Sequence, residues 1–85
     1  MAIELRQLQD SLSDESLFIT KRMRLRCKER GISIDDIFAC IKGGKIIRQY
    51  ENDKPFSSCL INGLSASKIP LHIVVSFNEG VIYLI

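Results

Sequence analysis

The spacing of apolar residues changes its period once along this chain, and that change limits the fold more than any other feature. In two stretches before residue 43 the apolar side chains recur at intervals of three and four, as they do in amphipathic helices. After residue 45 the chain breaks into short β-prone segments separated by turn residues, with clear alternation over residues 69–77. Helices followed by hairpin-linked strands favour a sheet with helices on one face. We therefore predict an α+β fold in which about three N-terminal helices pack on one face of a small, mainly antiparallel sheet of about four strands.

Local end signals fix the bounds of these elements. Thr20 is a suitable N-terminal cap, and Gly31 is a natural C-terminal stop for the helix that Thr20 begins. Ser33, with Asp36 three residues later, begins another helix, which the Gly43-Gly44 pair ends. The predicted helices span residues 2–12, 21–29 and 34–42. The predicted strands span residues 45–50, 57–62, 69–77 and 81–85, and a hairpin turn at 78–80 joins the last two.

The size of the chain excludes several classes of protein. Eighty-five residues have room for one hydrophobic core, so we predict a single domain over residues 1–85. No stretch reaches the ~18 apolar residues of a membrane span, and no export leader opens the chain, so we expect a cytoplasmic protein without a membrane partner. The sequence has no P-loop and no Rossmann glycine pattern, and we expect no cofactor. Because Ile85 closes the chain within an apolar strand, we expect the natural domain to continue beyond it.

The three cysteines, Cys27, Cys40 and Cys59, suggest a reducing compartment. An odd number without an export leader argues against a disulfide framework. No two of them have the close C-x₂₋₄-C spacing of a zinc site, although His72 could supply a fourth ligand. We predict buried free thiols that pack as small hydrophobic groups, and no metal site.

Positive charge is concentrated in one short segment. The chain carries a net charge of +2, yet residues 21–30, KRMRLRCKER, hold six basic residues and one acid. That segment therefore carries +5 and leaves −3 on the rest of the chain. Such a segment suits a polyanion or an acidic partner protein, and it could equally be a solvated helix face.

At 100° per residue the basic segment forms two faces. One face points to solvent and consists of Lys21, Arg24 and Lys28. The other, Arg22, Arg26 and Arg30, runs as a stripe along the border of the predicted core. Guanidinium groups at such a border could hold phosphate or carboxylate in a fixed fork. Alternatively, they extend along the apolar surface or pair with the nearby acids Glu29, Asp35, Asp36 or Asp53.

The only histidine, His72, is a candidate for acid–base chemistry. It lies in the middle of a predicted strand, on the face opposite the core stripe and on the same face as Ser76. A histidine ring takes up and releases protons near neutral pH, which general acid–base catalysis requires. A structural histidine is the alternative. Ser58 and Cys59 follow each other on a strand, but without a nearby base in the sequence we favour structural roles for both.

Three segments carry a resemblance to a known family. They are R-C-K-E-R-G-I-S-I-D-D-I at 26–37, G-K-I-I-R-Q-Y-E-N-D-K-P-F-S-S-C-L-I-N-G at 44–63 and P-L-H-I-V-V at 70–75. Their order and spacing resemble a bacterial family of domains of unknown function, DUF4258, over about residues 19–85. Where members of that family often carry a histidine, this chain has Arg22.

The resemblance implies a ribonuclease. Members are often encoded beside zinc-finger, helix-turn-helix proteins similar to antitoxins, and their helix-then-sheet layout is similar to RelE-type mRNA interferases. On that analogy the chain is a toxin-like, metal-independent endoribonuclease with RNA and an antitoxin-like protein as partners. We expect His72 to act as general acid or base, and Arg26 and Arg30 to bind phosphate and stabilise charge in the transition state. The expected substrate-binding residues are Arg22, Tyr50, Asp53 and Ser58.

Two alternatives stay open at this point. In the first, the chain is a non-catalytic module for binding protein or RNA, with a basic helix that contacts an acidic partner and a strand edge that pairs with it. In the second, the chain is a structural fragment of a longer protein.

Overall fold

The structure is a computed structural model that describes residues 2–13 and 15–85. Within these ranges the helices are α1 (Leu5–Asp10), α2 (Lys21–Glu29) and α3 (Ile34–Gly43). The strands are β1 (Leu17–Ile19), β2 (Lys45–Tyr50), β3 (Ser58–Leu64), β4 (Pro70–Asn78) and β5 (Val81–Leu84). The predicted α+β class is therefore confirmed. No helix in the described ranges is both long and apolar enough to cross a membrane.

The sheet differs in detail from the prediction, because it has five strands and is mixed. Its strand order is β1-β5-β4-β3-β2, with parallel pairing between β1 and β5 and antiparallel pairing elsewhere. We predicted four strands and missed β1, since three apolar residues between two helices are too few to show a period. Helix α1 is also shorter than the predicted 2–12.

The predicted ends of α2 and α3 are confirmed. The Thr20 hydroxyl accepts a hydrogen bond from the Met23 backbone N–H at 3.2 Å, which caps α2. Gly31 follows α2 with a φ of +69°, a left-handed conformation that glycine adopts without strain. Ser33 and Asp36 form a reciprocal capping box at the start of α3.

Asp36 makes a second connection besides the cap. Its Oδ2 accepts from the Ser33 N–H at 2.9 Å, and its Oδ1 accepts from the Ala66 N–H at 3.0 Å, which ties α3 to the loop between β3 and β4. The backbone hydrogen bond from Ser33 is the main reason that the pKa of Asp36 lies below its ordinary value of 3.8.

The lowered pKa of Asp36 predicts a pH-dependent contribution to stability. A carboxylate whose pKa is lower in the folded state stabilises the fold above its unfolded pKa, and that contribution disappears as pH falls through the folded value. We expect Asp36→Asn to be less stable than the unchanged chain at neutral pH, with the difference shrinking as pH drops below about 4. Urea unfolding across this pH range measures it. Asp35→Asn, in the same helical turn, is the control, because it removes the same charge without removing the hydrogen bonds to Ser33 and Ala66.

The hydrophobic core lies between the sheet and the helices α1 and α3. Both helices supply fully buried side chains, whereas α2 supplies none. The largest buried side chains of this core are Leu8, Ile37, Ile41, Ile61, Val75 and Ile82. Gln49 fastens the N-terminal segment to β2, because its side-chain amide both accepts from and donates to the Ile3 backbone, at 3.1 and 2.8 Å.

Helix α3 approaches β3 very closely at Gly63. A Cβ atom on Gly63 would lie 2.5 Å from the Cys40 carbonyl oxygen and 3.0 Å from the Cys40 Sγ. Gly43, the last residue of α3, has open space around the equivalent position. Helix α3 can therefore pack at this distance only because β3 has no side chain there.

This close approach predicts different costs for two alanine substitutions. Gly63→Ala forces α3 away from the sheet, and overpacking of this kind costs about 1–3 kcal/mol of unfolding free energy. Gly43→Ala meets no neighbouring atom and removes a flexible residue from a helix, so its effect should be neutral or slightly stabilising. Urea denaturation of both variants measures the difference. Equal effects would contradict the packing of α3 on β3 described above.

Candidate functional site

Helix α2 presents its charge beside the sheet and not within the core. All six of its basic side chains, including the C-terminal cap Arg30, are exposed, and only Met23 and Cys27 are half-buried. The helix is thus fixed by its two caps and by one apolar strip that touches the core. The predicted assignment of Arg22, Arg26 and Arg30 to the border of the core agrees with this arrangement.

The edge of the sheet next to α2 is open along half of β4. Strand β5 pairs with β4 only over residues 75–78, followed by one hydrogen bond from the Ile85 N–H to the Val74 carbonyl at 2.9 Å. The preceding residues of β4 pair with β3 on one side, and on the other side they face α2 across a cleft. His72 lies in this unpaired half, exposed, on the face of the sheet opposite the core.

Arg26, Arg30 and His72 line one cavity in this cleft. Its volume is about 210 Å³, and apolar side chains such as Met23 and Ile37 form much of its wall. The structure therefore brings together the three residues that the sequence analysis predicted as catalytic. Two arginines and one histidine around a cavity of this size suit an anion with several oxygens, such as a phosphate.

Two further cavities adjoin this one and share residues with it. Arg26 also lines a cavity of about 460 Å³, together with Arg22, Phe18 and Tyr83. Arg30 and His72 also line a cavity of about 410 Å³ on the other side, next to the loop between β3 and β4. We call these three adjoining cavities the arginine groove. It runs along α2. Arg22 lines the cavity at one end, and His72 lines the other two cavities.

Two of the acids that the sequence offers as partners for the arginines accept hydrogen bonds from other groups. Both carboxylate oxygens of Asp36 accept backbone hydrogen bonds, as described above. The Asp53 carboxylate accepts a hydrogen bond from the Ser58 hydroxyl. These hydrogen bonds come from backbone and hydroxyl groups and not from the arginine stripe. The Asp36 carboxylate nevertheless belongs to a residue that lines the cavity shared by Arg30 and His72.

The other predicted site residues lie away from the groove. Tyr50 pairs with Ser58, and Ser58 pairs with Ser76, which is four residues along β4 from His72. At ~3.3 Å per residue this separation is about 13 Å. Ser58 is fully buried, and its hydrogen bond to Asp53 braces the turn between β2 and β3. The structure does not bring Tyr50, Asp53 and Ser58 together with His72.

The cysteines are poor candidates for a nucleophile. Cys40 and Cys59 are buried, as predicted, and Cys27 is half-buried. Burial raises the pKa of Cys59 to about 11 and also raises the pKa of Cys40, so both remain neutral thiols at neutral pH. In residues 2–13 and 15–85, no cluster of three or more histidine, cysteine or acidic side chains is arranged to hold a metal ion.

Sequence reasoning missed the aromatic side chains at the Arg22 end of the groove. Phe18 and Tyr83 are paired in the register of β1 and β5, with ring centroids 5.7 Å apart. The apolar run Leu17–Phe18–Ile19 was the available signal, since three β-prone residues in a polar context can form a short edge strand.

A match to a protein family covers the arginine groove except for Phe18. A family model described as a domain of unknown function, DUF4258, matches residues 19–85, a range that includes α2 and strands β2 to β5. The comparisons found no match among curated proteins or solved structures. The family match confirms the resemblance expected from the three sequence segments. Both walls of the cavity around Arg26, Arg30 and His72 lie within the matched range, and the chain belongs to the DUF4258 family.

Proposed function

We propose that this protein is a metal-independent endoribonuclease that binds the RNA backbone in the arginine groove. One observation carries the proposal, which is that Arg26 and Arg30 of α2 line the same cavity as His72 of β4, a distant part of the chain. A positive pair that binds phosphate and a group that transfers protons near neutral pH are the two parts that cleavage by the ribose 2′-hydroxyl requires.

The proposed reaction uses a nucleophile that belongs to the substrate. The RNA 2′-oxygen attacks the adjacent phosphorus, the bond to the 5′-oxygen breaks, and the products carry a 2′,3′-cyclic phosphate and a 5′-hydroxyl. Arg26 and Arg30 stabilise the negative charge that builds on the phosphate oxygens in the transition state. His72 either removes the proton from the 2′-hydroxyl or donates one to the leaving 5′-oxygen. We assign the other proton transfer to water, because the chain has a single histidine.

Arg22 extends the phosphate-binding surface by one helical turn. It lies about 6 Å along α2 from Arg26, and both line the adjoining cavity. We assign Arg22 to a neighbouring phosphate of the bound strand. Tyr50, Asp53 and Ser58, which we had expected to bind substrate, are left out of the proposed site because of their distance from His72.

The decisive assay uses two matched oligonucleotides in the presence of EDTA. One is RNA of mixed sequence, and the other has the same sequence with every 2′-hydroxyl methylated. We expect cleavage of the first into fragments with 2′,3′-cyclic phosphate ends, and no cleavage of the second. Cleavage that requires a divalent metal, or that also occurs in the methylated strand, would reject the mechanism. Intact RNA under all conditions would reject the enzyme.

A second candidate function rests on the half of β4 that β5 does not pair with. A basic helix beside an accessible strand edge can bind an extended acidic segment of a protein by β-augmentation. In that case the chain is a non-catalytic interaction module. Under the endoribonuclease proposal, an antitoxin-like partner would block the same groove. Capture of an acidic protein without any RNA loss would favour the module.

A further inference from the structure

An exposed aromatic side chain stands at the end of the groove that lies away from His72. Phe18 is the middle residue of the three-residue strand β1, and its side chain is 53% exposed. Its neighbours Leu17 and Ile19 are half-buried and buried. Phe18 therefore adds little to the core, and it lies on the face of the sheet that the helices do not cover.

The Phe18 ring is the outer member of a row of three aromatic rings. Tyr83 lies next to it at 5.7 Å between centroids, and Phe56 lies 5.6 Å beyond Tyr83. Both inner rings are half-buried, so they support the outer ring and limit its movement. A supported aromatic surface of this kind can accept one more flat group on its free side.

The position of this ring relative to the arginines points to the ligand. Phe18 and Tyr83 line the same cavity as Arg22 and Arg26. Aromatic side chains on which bases stack, next to cationic groups that follow the backbone, are the usual elements of single-strand recognition. A duplex keeps its bases stacked inside the helix and cannot offer one to a ring in a side cavity.

We propose that Phe18 is a stacking platform for one unpaired base, and that the substrate class is therefore single-stranded RNA. This inference rests on the proposed function, because it uses the same groove and the same arginines. The phosphates next to the stacked base contact Arg22 and Arg26, and the strand continues along α2 towards Arg30 and His72. Since Arg22 and Arg30 are about 12 Å apart along the helix, the stacked base lies within a few nucleotides of the cleaved bond.

The test uses a six-nucleotide single strand that is methylated at every 2′-oxygen, so that cleavage cannot occur. The fluorescent base 2-aminopurine replaces each position in turn, because stacking on an aromatic ring quenches it. We expect strong quenching at one position with the unchanged protein. Phe18→Leu should remove this quenching and raise Kd about tenfold, whereas Phe18→Tyr, which keeps a ring, should retain both. A duplex of this strand with its complement should bind the unchanged protein no more tightly than the single strand binds Phe18→Leu.

Three results would overturn the stacking platform. They are equal affinity and quenching in Phe18→Leu and the unchanged protein, equal affinity for the duplex, and no binding of the oligonucleotide at all. Because the probe has no reactive 2′-hydroxyl, these outcomes are independent of catalysis. A protein that binds and quenches the probe but leaves RNA intact supports the platform and rejects only the endoribonuclease. The quenching measurement on the unchanged protein also does not depend on whether any variant folds.

Discussion

His72→Ala is expected to lower the rate of RNA cleavage by a factor of about 10²–10⁴, which is the usual contribution of one general acid or base. Binding of an RNA whose 2′-oxygens are methylated should remain within about threefold, since the phosphate contacts come from Arg26 and Arg30. The His72 side chain is exposed and lies at the edge of the cleft, so its loss should leave the melting temperature nearly unchanged. Single-turnover cleavage and fluorescence anisotropy measure the two effects separately.

Chemical rescue distinguishes a proton-transfer role for His72 from a structural one. Free imidazole should restore part of the activity of His72→Ala, because the truncated side chain leaves room in the cavity for the small base. His72→Gln fills that room and can make hydrogen bonds, but it should be neither active nor rescued. Undiminished cleavage by His72→Ala would reject the assignment. Loss of binding together with cleavage would make His72 a binding residue.

Replacing either cavity arginine should give the second large loss of activity. Arg26→Ala or Arg30→Ala is expected to lower the cleavage rate about a hundredfold, comparable to the removal of one donor from an oxyanion site. Each should also reduce the slope of log affinity against log salt concentration by about 0.7, because one fewer phosphate of a single strand is neutralised. Arg26→Lys keeps the charge but loses the planar fork, so it should recover affinity better than rate.

Arg24 offers a matched control on the same helix. Arg24→Ala removes the same charge from α2, but Arg24 does not line the cavity that contains His72. We expect at most a small loss of affinity and an unchanged cleavage rate. If Arg24→Ala were as inactive as Arg26→Ala, the effect would come from the total positive charge of α2. The assignment of phosphate binding to the cavity would then be wrong.

The local parts of the fold were predictable from the sequence, because their signals lie within a few residues. The caps at Thr20 and Ser33 and the stop at Gly31 are confirmed by hydrogen bonds and dihedral angles. The hairpin between β4 and β5 is confirmed too, with positive φ at both Glu79 and Gly80. Strand β1 is held in the sheet by its parallel pairing with β5, about 65 residues away, and no local pattern encodes such a contact.

In the candidate site, too, only the features that lie within one helix were predictable from the sequence. The four-residue spacing of Arg22, Arg26 and Arg30, an offset of about 40° at each step, predicted a stripe along one side of α2, because it is a property of one helix. That this stripe faces His72 depends on where β5 stops pairing with β4, which is a tertiary feature. Tyr50, Asp53 and Ser58 lie in a segment that resembles the family, yet the described contacts of Ser58 and Asp53 are those of a braced turn. A residue pattern shared with a family cannot by itself separate residues that bind substrate from residues that hold the sheet.

Nuclear magnetic resonance of the His72 ring tests the binding of RNA in the groove most directly. Because His72 is the only histidine, its imidazole signals can be assigned without comparing spectra of variants. As the methylated six-nucleotide strand is added, we expect the His72 ring signals to shift together with the guanidinium Nε–H signals of Arg26 and Arg30. The exposed Arg48 on β2, at the other edge of the sheet, should not respond. Shifts at Arg48 with unchanged His72 signals would place the RNA elsewhere and contradict binding in the groove.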